Sequence, residues 1–157
     1  MPLLWFSLRS IRDSYDHELA HYQRYHRHPI NWWIHAITIP IEFMACYMVL
    51  AHFNLHLLSA LVVADYTVLI GSATSTIVAI ANILLAIIAK YIYSINYVRN
   101  NVLIAFAIIQ TISFGIQVCI GHWVIEKNQP AMRTKFSLNS MFLSILMSWD
   151  LHESKYA

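Results

Sequence analysis

The chain has 157 residues, 59% hydrophobic and 11% charged, and its mean hydropathy of +0.54 exceeds what one soluble core of this length accounts for. A formal net charge of +2 with no run of Lys or Arg excludes the basic stripe of a nucleic-acid-binding protein. Three glycines and four prolines leave too few turn formers for a small β protein. The composition predicts an all-α integral membrane helical bundle, a single domain over 1–157. About four transmembrane helices are expected, with an N-terminal interfacial helix and a short C-terminal helix.

Met1 to Trp5 is apolar, but Arg9, Arg12 and Asp13 interrupt it before a signal-peptide core develops, so no cleaved targeting segment is expected. Residues 11–28, rich in His and Tyr and free of Gly and Pro, read as a helix at the membrane surface that ends at Pro29. Trp32 to about Phe53 carries a single acid, Glu42, and is long enough for a first span. Residues 55–93 are about twice spanning length and break near Gly71 and Ser72, which predicts two spans around a tight turn, the first short and carrying Asp65. Arg99 to Asn101 form a polar connection to a fourth span, Val102 to Ile125. A basic loop, Lys127 to Lys135, leads to the apolar stretch Phe136 to Trp149, too short to cross comfortably.

Cys46 and Cys119 lie in apolar stretches, have neither CxxC nor disulfide-framework spacing, and read as small buried hydrophobes. Four crossings return the chain to the side where it started, so the histidine-rich N-terminal segment and His122 share one face of the membrane. Arg9, Arg12, Arg24, Arg27, Lys127, Arg133 and Lys135 belong to that face, against Lys90 and Arg99 on the other, so the positive-inside rule places it in the cytoplasm. The expected location is a multi-pass protein of the endoplasmic reticulum in a eukaryote or of the inner membrane in a bacterium.

Five of the nine histidines fall between positions 17 and 35. His17-Glu18-Leu19-Ala20-His21 is a literal HExxH, which on a helix sets two imidazoles one turn apart beside a carboxylate, the arrangement of a zinc hydrolase. A second constellation is Tyr22-x-x-Tyr25-His26-Arg27-His28-Pro29-x-Asn31-x-x-x-His35-x-x-x-x-Pro40, paired with Gly121-His122-x-x-x-Glu126-x-x-x-Pro130-Ala131. Asn31 and His35, like His122 and Glu126, are four residues apart and share a helix face. Polar groups at membrane depth are costly unless partnered or used, so His26, His35 and His122 read as ligands of a metal site split across the bundle. Imidazoles with a carboxylate suit iron or zinc equally. Tyr22, Tyr25, Trp32 and Trp33 fall where an aromatic belt is expected. His52, His56 and His152 read as structural, and Glu42 and Asp65 as intramembrane acids either paired inside the bundle or functional.

At these two motifs the chain resembles the 2-hydroxy fatty acid dioxygenase family, small membrane proteins of the α-oxidation branch of phytosphingosine breakdown. The likeness rests on YxxYHxxPxNxxxHxxxxP at Tyr22–Pro40 and GHxxxEKxxPA at Gly121–Ala131, with four hydrophobic spans between and around them. It implies an Fe(II) dioxygenase that uses O2, without 2-oxoglutarate, to convert a 2-hydroxy fatty acid to the acid one carbon shorter. It implies His26, His35 and His122 as its histidines, Glu126 as a further ligand or the orienter of His122, and a weaker role for Asp150. Asn31, Tyr25 and Glu126 are the candidate catalytic residues; Arg27, Lys127 and Trp33 are the candidates for substrate binding. The chain departs from the pattern near the Gly-His pair, where Gln117 stands beside Val118, and at His28, where an asparagine is common. The other readings are a zinc-dependent membrane hydrolase built on His17, Glu18 and His21, and a non-catalytic metal-binding membrane protein. The implied partners are the lipid-like substrate, O2 and membrane lipid, and a homodimer is compatible with a bundle of this size.

Overall fold

The computed structural model describes residues 2–72, 74–130, 144–147 and 149–150. All regular structure among them is helical. α1 spans Pro2–Tyr25, α2 Pro29–His52, α3 His56–Ile70, α4 Ser75–Tyr93, α5 Asn96–Asn100 and α6 Val102–Gly115. α6 continues without a break into a π-helical segment, Ile116–Glu126. Residues 144–147 and 149–150 are helical too, within the stretch expected to form the short last helix; Arg133, Lys135 and His152 lie outside the described residues.

α2 begins three residues before the expected start of the first span. Pro29 occupies its first turn, where a missing N–H costs nothing, and the His28 ring nitrogen Nδ1 accepts a hydrogen bond from the Ile30 amide at 3.2 Å. α1 starts well before residue 11 and stops at Tyr25, so His26 and His28 belong to the link between the two helices. α3 ends where Gly71 adopts φ 66°, a left-handed conformation open to glycine at little cost, and its amide donates to the Val68 carbonyl.

Among the described residues, three helices are long and apolar enough to cross a membrane: Pro29–His52, Ser75–Tyr93 and Val102–Glu126. α3, expected as a short second span, has 15 residues and a rise of about 22 Å, less than a hydrocarbon core of about 30 Å. Asp65 lies on its exposed face and not inside the bundle.

α2 is the central helix, packed against α4, α6 and the π-helical segment, while α3 packs mainly on α4. The core between them is lined by small side chains, with Ala45, Ala60, Ala86 and Ala89 fully buried around Tyr47 and Met48. Such residues let backbones approach closely. The outer surface is studded with Ile, Leu and Val, whereas Asn31, His35, Asn82, Gln117 and His122 are buried. Polarity thus runs opposite to that of a water-soluble bundle. Asn82 shows how the interior is satisfied: it accepts from the Tyr47 hydroxyl at 2.7 Å and donates to the Ala60 carbonyl at 3.1 Å.

The helices alternate up and down. At one end His52 meets the Tyr93 hydroxyl at 3.0 Å and Lys90 donates to Asn54. At the other, the start of α2 meets the end of the π-helical segment, and Arg12 of α1 donates to the carbonyls of Ile70 and Gly71, each at 2.8 Å. The histidine-rich segment and His122 therefore lie at the same end, as their places in the chain predict.

Candidate metal centre

His26 sits just past the end of α1, His35 on the second turn of α2 and His122 in the π-helical segment, and all three side chains are buried. Their rings stand nearly perpendicular in pairs, with centroids 4.4 Å apart for His26 and His35, 4.8 Å for His26 and His122, and 5.3 Å for His35 and His122. One ligand nitrogen from each lies within 4.8 Å of the others, and no other group of three or more His, Cys, Asp or Glu is so gathered among the described residues.

The hydrogen bonds assign the tautomers of two of these rings. His26 Nδ1 lies 2.8 Å from the Tyr22 carbonyl and His35 Nδ1 lies 3.0 Å from the Asn31 carbonyl. A carbonyl only accepts, so each Nδ1 carries the proton and each Nε2 presents a lone pair. These two Nε2 atoms face each other at 3.2 Å, an edge length natural to ligands bound about 2.1 Å from one ion but repulsive for two bare lone pairs. Nδ1 of His122 is buried without a hydrogen-bond partner. Two converging lone pairs and an orphaned third imidazole fit a divalent cation, iron or zinc, bound by three histidines.

The surroundings hold the triad in place. Asn31 is completely buried; its carbonyl orients His35, and its side-chain amide donates to Glu126 at 3.2 Å. Glu126 also accepts from the His28 amide at 2.7 Å. Its carboxylate thus ties the π-helical segment to the start of α2 and is not gathered with the triad. Gly121 packs against the side-chain oxygen of Asn31 so closely that a Cβ would collide with it. The π-helical segment ends at Lys127, whose φ of 53° is left-handed and whose amide donates to the His122 carbonyl.

Below the triad is a cavity of roughly 220 Å³ lined by Tyr22, Glu42, Phe114 and Gln117 together with the three histidines. Tyr22 stacks on His26 with centroids 3.7 Å apart, and its hydroxyl is buried without a partner. Burial, reinforced by the charge of Glu42, raises the Tyr22 phenol well above its ordinary value, so it remains a proton donor. Gln117 donates to Glu42 and to Thr38, both at 2.8 Å, which answers how the first span's acid is partnered.

The other expected site residues are placed elsewhere. Tyr25 is half-buried against His21, their rings 5.1 Å apart. Trp33 is 54% exposed and leans on Trp32, Arg27 is exposed, and Lys127 lies on a separate surface hollow with Trp123 and Asn128. None of these four lines the cavity. Asp150 accepts from the hydroxyls of Tyr15, Ser72 and Thr74, so it fastens α1 and the C-terminal helical residues to the α3–α4 turn and is no ligand of the triad. Tyr22, read as part of the aromatic belt, Gln117, noted only as a departure from the family pattern, and Glu42, read as either paired or functional, also line the cavity. Of these, Tyr22 had the clearer signal, since it lies one turn before His26. His17, Glu18 and His21 are not gathered into a ligand cluster. No family model, curated protein or solved structure matches the chain.

Proposed function

We propose that the chain is a multi-pass membrane enzyme that binds Fe(II) through His26, His35 and His122 and oxidises a 2-hydroxy fatty acid with O2 to the acid one carbon shorter. The observation that carries this reading is the buried triad, with its converging Nε2 lone pairs, at the head of a pocket between apolar helices. The motif resemblance at Tyr22–Pro40 and Gly121–Ala131 supplies the choice of substrate and of iron over zinc.

The reaction balances without an outside reductant: a 2-hydroxy acid and one O2 give the shortened acid, CO2 and water, and the substrate provides all four electrons that O2 accepts. Bound iron would supply the redox path between substrate and O2. The protein's own contribution is positional. The Tyr22 hydroxyl, protonated and unpaired, donates a hydrogen bond to the substrate carboxylate. Asn31 and Glu126 keep His35 and His122 in register, and Ile39, Phe114 and Met147 give the cavity an apolar wall.

In a bilayer, α3 completes four crossings by letting the membrane thin around it. The basic residues at the histidine end then place the site on the cytoplasmic side. The test is oxygen uptake by anaerobically purified protein given Fe(II) and a long-chain 2-hydroxy acid, with mass spectrometry of the product. Uptake matched one to one by an acid one carbon shorter supports the reading. Retained iron with no uptake refutes it, and activity restored by zinc alone favours a hydrolase on the same triad.

A further inference from the structure

A second cavity adjoins the one below the triad at Glu42. It has a volume of roughly 350 Å³, shares Glu42 and Ser144 with the first and continues along α2 past Phe43, Cys46 and Tyr47 to Leu50, with Ser59 and Val63 of α3 on its far side. From His35 to Leu50 the helix rises about 22 Å, so the two cavities together follow most of the length of α2. Both are walled mostly by carbon. The first has the three imidazoles, Tyr22 and Gln117 at its head; in the second the polar side chains besides Glu42 include Ser59, Gln110 and Ser144.

With the imidazole cluster at one end and a largely carbon wall over the rest, between helices whose outer surface is itself apolar, this space suits a single-chain amphiphile with its head at the histidines. The hydrogen bond from Gln117 to Glu42 satisfies the acid at the junction, so an alkyl chain can pass without leaving that carboxylate unpaired. We infer that the second cavity houses the hydrocarbon tail of the substrate, which runs inside the bundle towards the end opposite the histidines. Leu50 and Ser59, at its far end, set the longest chain accepted. The inference rests on the proposed function for the identity of the head group, but the tail's path is argued from the cavities alone.

The test is equilibrium binding of a homologous series of straight-chain 2-hydroxy acids to the full-length chain in lipid nanodiscs, with and without Fe(II) and with empty nanodiscs as the blank. Oxygen uptake is followed in parallel. Ser59→Phe fills the far end at a half-buried position; it is expected to weaken the longest acids at least tenfold and leave the short ones unchanged. Leu50→Ala lengthens the space and is expected to move the optimum to longer chains, and it decides the matter if Ser59→Phe does not fold. An unchanged length profile in the folded variants, or no binding of any member by the wild-type chain, overturns the inference. A profile that shifts as expected in the absence of oxygen uptake sustains the tail cavity and removes the dioxygenase reading.

Discussion

Gly121 and Asn31 show how closely single residues are matched at this site. A methyl group at position 121 meets the Asn31 side chain, and Asn31 in turn orients His35 and holds Glu126. Gly121→Ala is therefore expected to cost about 1–3 kcal/mol of stability, as overpacking does, and to reduce metal occupancy as well; thermal unfolding and metal analysis of one preparation check both. Tyr22→Phe is a contrasting case. It removes a buried hydroxyl that has no partner, so stability and metal content are expected to hold while KM for a 2-hydroxy acid rises about tenfold, the worth of one hydrogen bond. A fall in metal content instead would make Tyr22 a support of His26 and not a substrate contact. The three histidines were legible because polar side chains within apolar helices need a reason. The roles of Glu126 and Asp150 were not, because sequence shows a carboxylate's chemistry but not the amides and hydroxyls that reach it.

At the level of the helices, the π-helical segment is the feature that no hydrophobic pattern announced. It is wider than an α-helix, at roughly 4.4 residues per turn, and it places Gln117, Gly121 and His122 together on the buried face. Deleting Val118 is expected to return the segment towards α-helical register, so that Gln117 can no longer meet Glu42 while His122 meets His26 and His35. Circular dichroism should then show the helix content retained while the metal is lost; retention of both would mean that the π-turns are not what aligns His122. Helix existence and the Gly71 turn were readable from runs of apolar residues and a single permissive glycine. The start of α2 was misplaced because Trp32 looked like the edge of the apolar run, whereas the helix is launched by Pro29 and capped by His28. The short helix ending at Gly71 was readable as well, and only its length against a bilayer, 15 residues, tells against a full crossing.

Across the whole molecule, the site exists only because three separate parts of the chain are brought to one end of the bundle. α1 and the C-terminal helical residues are fastened there through Arg12, Tyr15 and Asp150. Burial and the adjacent Asp150 raise the Tyr15 phenol far above its usual value, so the tyrosine keeps the proton it donates in this latch. Asp150→Ala takes the acceptor from the buried Tyr15 hydroxyl and one acceptor from Ser72 and Thr74, which keep each other and Ser75, and is expected to cost about 1–3 kcal/mol, read as a lowered Tm, with the metal content of the folded protein unchanged. The most direct test of the account is metal content after anaerobic loading with Fe(II), comparing the wild-type chain with His26→Ala, His35→Ala and His122→Ala, each checked for folding. The account predicts one iron per chain in the wild type, its loss in all three variants, and a wild-type Tm that falls when the metal is removed. Full iron retention in a folded triad variant, or a wild-type chain that holds no metal, would contradict it.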